Sequence, residues 1–271
     1  MQFPTALALW VATDYDIWLG GATIWHGNGS GEWVETAPAT PAAVADFYGF
    51  AQNDIFAVSD TRVLHWNGGD WTDVPPTAGV TFTALYRIWG TSAQNLWVAN
   101  TDNSRVYHYD GTKWTVQTLQ FVAADALWGA SADDIWLSGT TDLYHYTANA
   151  WNRYQPSDAP TGVMGLWGTS PNDVWAAGSF DELSHWNGTT WTPVPDDVGP
   201  GFNAIWGSGP DDIHAVGDLG FAAHFDGHSW SASQELGNTQ TFSHVHGSSS
   251  DNVYATAVDL AKQKVLVLKR D

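Results

Sequence analysis

Apolar and polar residues alternate along this chain in short runs bounded by Gly, Asn, Asp and Pro, the pattern of half-buried β-strands rather than of helices. One string recurs: an apolar-aromatic-Gly step, a polar loop, then Asp or Asn followed by an apolar and an aromatic residue. The first copies run from Leu9-Trp10 to Asp16-Ile17-Trp18, Phe47-Tyr48-Gly49 to Asp54-Ile55-Phe56, Ile88-Trp89-Gly90 to Asn95-Leu96-Trp97, and Leu127-Trp128-Gly129 to Asp134-Ile135-Trp136. Three more run from Leu166-Trp167-Gly168 to Asp173-Val174-Trp175, Ile205-Trp206-Gly207 to Asp212-Ile213-His214, and Val245-His246-Gly247 to Asn252-Val253-Tyr254. The anchoring Asp or Asn positions lie 38 to 41 residues apart. A third run then ends in His and an aromatic residue, with Trp six positions beyond the His: His65 to Trp71, His108 to Trp114, His145 to Trp151, His185 to Trp191 and His224 to Trp230. The pairs Asn67-Gly68, Asp110-Gly111, Asn187-Gly188 and Asp226-Gly227 between them predict primed hairpin turns, because such pairs accept positive φ.

About 40 residues arranged as four short antiparallel strands is the length of a propeller blade. Seven units therefore predict an all-β, seven-bladed β-propeller spanning residues 1–271 as one domain, with blades near 5–36, 44–76, 84–118, 124–154, 163–195, 202–234 and 241–271. The seventh unit stops at its third run, Val265-Leu266-Val267-Leu268, so the last blade is expected to be incomplete; Gln2-Phe3 is the candidate for a short strand covering that edge.

These repeats resemble the Trp-rich propeller repeats of secreted bacterial proteins, whose blades follow the pattern I-W-G-S-S-P-D-D-I-W-A-V-G … H-W-D-G-T-x-W; the nearest copies here are Leu166 to Trp191 and Ile205 to Trp230. The resemblance implies a propeller and an extracellular or cell-surface location. It does not imply one activity, since propellers host lectins, metal binders, hydrolases and scaffolds alike.

Composition narrows the function classes. Twenty-nine Asp and Glu against 9 Lys and Arg give a formal charge of -20, a field that repels nucleic acid and anionic membranes. No apolar run approaches the length of a membrane span, so membrane insertion is not expected either, and a monomer is. The absence of Cys excludes disulfides, thiolate metal sites and a Cys nucleophile. No Gly-x-Ser-x-Gly, phosphate-loop or His-Glu-x-x-His string is present, and Asp181-Glu182 is the sole acidic pair containing Glu outside the first-to-second-strand loops. An enzyme is not expected.

Three binding chemistries remain. The third-run aromatics Trp25, Trp66, Tyr109, Tyr146, Trp186 and Phe225 are candidates to stack on sugars at blade rims, making the chain a multivalent, lectin-like binder of glycans or surface polysaccharide. His214, His244 and His246 break the repeat in neighbouring units and are candidate ligands for copper or zinc. The acidic first-to-second-strand loops offer oxygen ligands to calcium, although Asp before a strand more often caps backbone amides. The five repeated His residues read as structural, bonding to a neighbouring blade's loop. The irregular second-to-third and fourth-to-first loops, among them Asp60-Thr61-Arg62, 100–105, 140–142, 179–182, 217–220 and 258–263, suit a protein-interaction scaffold.

Overall fold

The computed structural model describes residues 8–36, 38, 43–120, 123–155, 159–179, 183–194, 198–259 and 264–270. Among them lie seven antiparallel sheets in which each strand pairs with the next in sequence; six have four strands and the seventh has three. The chain is a seven-bladed β-propeller. The one helical element in the described residues is a single turn, Asp218–Gly220. Gln2-Phe3 and Asp181-Glu182 lie outside the described residues. The blades pack as two compact units, residues 5–124 with the first three and residues 125–271 with the last four.

Burial explains why the second run of each unit is so apolar. In the second strands Asp54–Ser59, Asn95–Asn100, Asp134–Gly139, Asp173–Gly178 and Asp212–Gly217, every residue after the first is buried. A strand covered on both faces has no solvent side, so alternation gives way to a continuous apolar run. Fourth strands are the reverse: in Trp71–Asp73 and Trp191–Pro193 the leading Trp is buried and the next two residues are exposed.

The aromatic-Gly step of the first strand is a packing device between blades. A Cβ added at Gly168, Gly207 or Gly247 would stand 2.9, 2.6 and 2.6 Å from the ring of Trp128, Trp167 and Trp206, the first-strand Trp of the preceding blade. Each indole therefore lies over the next blade's Gly, where no side chain fits. The first strand then bulges past the Gly, at Gly168/Ser170, Gly207/Gly209 and Gly247/Ser249.

The third-to-fourth turns differ from the expected primed type. Trp66 pairs with Trp71, leaving a four-residue turn in which Gly68 alone has positive φ, at 93°. Asn67 Oδ1 accepts hydrogen bonds from the Gly69 and Asp70 amides, and Asp110, Asn187 and Asp226 repeat the arrangement. The Asx side chain, not a positive φ at that residue, sets these turns. A two-residue turn with both φ positive occurs instead at Ala148-Asn149, where the Asx-Gly pair is missing.

Candidate functional site

Within a blade, the repeated His bonds the anchor of its own blade. His26, His65, His108, His145, His185 and His224 place Nε2 2.7, 2.7, 2.7, 3.2, 2.7 and 2.8 Å from the Oδ1 of Asp16, Asp54, Asn95, Asp134, Asp173 and Asp212. This corrects the expectation of a bond to a neighbouring blade. The cause is register: the His stands opposite the second-strand aromatic, as in Trp18↔His26 and Trp175↔His185, and the anchor lies two residues earlier on the same face. The rings consequently stack, with centroids 4.1 Å apart for Trp18 and His26 and 3.8 Å for Trp136 and His145. The anchor carboxylates offered to calcium are engaged in this way inside their own blades.

Five of the aromatics proposed to stack on sugars lie against other rings, within their own blade or across to the preceding one. Trp66 lies 5.0 Å from Trp18 of the preceding blade and 5.7 Å from its own Trp71. Trp186 sits among Trp136, Tyr154 and Trp191 and donates its Nε1–H to the Pro171 carbonyl. Phe225 packs between Trp175 and Trp230, while Tyr109 and Tyr146 lie against Trp114 and Trp151. Trp25 belongs to another slot: it precedes its His and pairs with Leu19, and Gly27 stands where other blades carry the aromatic. This packing lends sugar stacking no support.

The irregular loops are tied by their own side chains where they are described. Arg62 and Asp73 form an ion pair at 2.7 Å, Arg153 pairs with Asp142, and Asn100 Nδ2 donates to Asp102 and Asn103.

The repeat fails at the junction of the sixth and seventh blades. His214 replaces the second-strand aromatic, and its ring stacks on His224 at 4.6 Å. Its Nε2 lies 3.2 Å from Asp212 Oδ1 and 3.0 Å from Arg270 Nη1. A guanidinium only donates, so this nitrogen accepts and the imidazole is neutral. Burial, reinforced by the Arg270 charge, pushes the His214 pKa down to about 4 against the opposing pull of Asp212. Asp212 itself is held below the usual carboxylate range: burial raises it, but hydrogen bonds from Ser208 and His224 and the two nearby imidazoles outweigh that effect.

Arg270 extends the third strand Lys264–Lys269, with its amide donating to the Val253 carbonyl. It thus stands in the slot of Trp66, Trp186 and Phe225, and Lys269 stands in the slot of the repeated His, its Nζ 5.5 Å from the centre of the Tyr254 ring. No fourth-strand Trp follows among the described residues. What opens there is a cavity of about 420 Å³, walled by Val216, Leu236, Phe242, Val245 and Leu268, with His214, His224 and Arg270 at its polar side.

The three His residues proposed as one metal set are not brought together. His244 Nδ1 lies 3.3 Å from the Thr256 hydroxyl, and His246 occupies the first-strand aromatic slot, 5.7 Å from Trp206, with burial holding its pKa down to about 3. The group of potential ligands found among the described residues is Asp212, His214 and His224 instead. Sequence reasoning assigned His224 to structure and missed Arg270. Aligning Lys269-Arg270 with the His-aromatic pairs of the other units is the signal that would have found it.

No protein-family model and no curated protein matches the chain. Solved structures do. A YCF48 bound to a D1 peptide superposes with a TM-score of 0.76 at 14% identity, covering 100% of this chain and 96% of that one. YCF48 from Cyanidioschyzon merolae gives 0.74 at 11%, covering 99% and 97%, and a chain of a Mitotic Checkpoint Complex gives 0.75 at 10%, covering 100% and 88%. The likeness is one of fold. No helix among the described residues is long and apolar enough to cross a membrane.

Proposed function

We propose that this chain is a non-catalytic protein-interaction module, and that the junction of its sixth and seventh blades receives an extended polypeptide segment carrying an aromatic residue. The observation that carries this reading is a slot that no aromatic ring fills among the described residues. At the first-to-second, fourth-to-fifth and fifth-to-sixth junctions, a second-strand aromatic meets both a third-strand aromatic and a fourth-strand Trp of the next blade: Trp18 with Trp66 and Trp71, Trp136 with Trp186 and Trp191, Trp175 with Phe225 and Trp230. At the sixth-to-seventh junction the same place holds Arg270 and a cavity. Its apolar wall fits an indole, and a strand laid along Lys264–Lys269 would deliver one by β-augmentation. Two of the similar propellers are found with protein, one bound to a D1 peptide and one in a Mitotic Checkpoint Complex, which supports a polypeptide over a glycan as the partner class.

The test uses the chain's own fourth strand as a probe: a synthetic peptide of residues 226–236, which includes Trp230, titrated calorimetrically into the whole protein. Saturable one-to-one binding is expected, weakened at least about tenfold when the peptide's Trp is Ala and abolished by Leu268→Asp. Absence of binding, or binding indifferent to the Trp, would overturn the reading. Binding that emerges only after removal of residues 1–7 would assign the slot to this chain's own segment and overturn it equally.

A further inference from the structure

The geometry points to a divalent transition-metal site formed by Asp212, His214 and His224 of the sixth blade, in which Arg270 occupies the cation position when no metal is bound. In five other blades the anchor carboxylate or amide meets one imidazole, and the stacked partner is Trp or Phe: Trp18, Phe56, Trp97, Trp136 and Trp175. The sixth blade alone puts a second imidazole in the stacked position. The three ligand atoms then lie within 4.8 Å of one another, with Asp212 Oδ1 2.8 Å from His224 Nε2 and 3.2 Å from His214 Nε2. Two imidazoles and one carboxylate facing one open side is a donor set that suits zinc, copper, nickel or iron rather than calcium or magnesium.

The orientation of Arg270 supports a cation site. Its Nη1 stands 3.0 Å from His214 Nε2 and 3.6 Å from Asp212 Oδ1, so the cluster already directs a lone pair and a negative oxygen at one positive group. The Arg270 side chain is 45% exposed and can swing into solvent, whereas Asp212 and His214 are held by the sheet. A metal entering from the cavity would displace the guanidinium and leave that side for water or a further ligand. On binding, His224 moves its ring proton from Nε2 to Nδ1, so that both imidazoles ligate through Nε2 with no net proton release. The inference does not rest on the polypeptide reading: it concerns the polar side of the cavity, and its test involves no peptide.

Zinc binding would be measured by competition with a chromophoric chelator, and cobalt would be followed by its visible ligand-field bands, on the whole protein at neutral pH. One equivalent is expected. Replacing His214 with the residue of the other blades, His214→Trp, or with the smaller Phe, is expected to abolish binding and the cobalt bands in protein that keeps its native circular dichroism. Arg270→Ala removes the internal competitor and is expected to tighten zinc binding about tenfold. No binding by the native protein, binding that survives both His214 variants, or weaker binding by Arg270→Ala would each overturn the site.

Discussion

A single carboxylate or amide oxygen organises each of the first six blades, by accepting a hydrogen bond from an imidazole that is itself stacked on a second-strand ring. Asn95 performs this role in the third blade, so the bond needs an acceptor rather than a charge. Asp173→Asn is therefore expected to be nearly neutral, whereas Asp173→Ala strands His185 Nε2 and should cost about 1–2 kcal/mol by urea denaturation. Two other residues set opposite responses to pH. Burial lowers His246 from 6.5 to about 3, so the unfolded chain takes up this proton first and stability is lost as pH falls below 6.5. Burial raises Asp46 from 3.8 to about 6, against the lowering effects of Arg87 and of the Ile88 and Phe47 amides. The unfolded chain releases that proton first, so stability is lost as pH rises from about 4 to 6. Urea midpoints measured between pH 4 and 7 should therefore show His246→Phe gaining relative stability at the acid end and Asp46→Asn gaining it at the neutral end.

The strand repeat carries its information in spacing, and that is why the blades were legible before the structure. Six ring-Gly steps, Leu9-Trp10 in the first unit and the seven anchors mark the repeat, and the observed first strands begin at Ala8, Val44, Leu85, Ala124, Val163, Phe202 and Gln240. Register was less legible. Trp25 looks like Trp66 in a list of third-run aromatics, yet it stands one position before its His whereas Trp66 stands one after, two residues along the same face, so Trp25 pairs with Leu19 and Gly27 takes the aromatic's place. The turns were misjudged for a similar reason: Asn67-Gly68 favours a primed turn locally, but Trp66↔Trp71 pairing leaves four residues between the strands. The sugar-stacking reading gains no support at this scale either, because a Trp from the fourth strand lies against Trp66, Tyr109, Tyr146, Trp186 and Phe225. Trp191, 2% exposed between Trp136 and Trp186, should cost about 3–5 kcal/mol when replaced by Ala. Gly168→Ala, whose Cβ would meet the Asp173 carbonyl at 2.3 Å and Trp128 at 2.9 Å, should cost at least about 1–3 kcal/mol, read as a lower urea midpoint with an unchanged slope.

Across the whole molecule the same solution recurs until the seventh blade, where Lys269 and Arg270 replace the His-aromatic pair and the Trp-bearing fourth strand is missing among the described residues. The proposed function rests on that departure, which is harder to see in a sequence than the fold: a period reveals what repeats, whereas the cavity between blades six and seven is lined by residues that break it. His214 stood out in the sequence as a break in the pattern, but its partners come from the third strands of two blades, and no spacing brings Arg270 to it across 56 positions. The most direct test of the account is backbone amide exchange, followed by mass spectrometry, on the whole protein with and without the 226–236 peptide. Slowed exchange confined to residues 264–270 and to the strands walling the cavity is the expected result. Unchanged exchange there, or protection confined to the third-to-fourth turns, would contradict it.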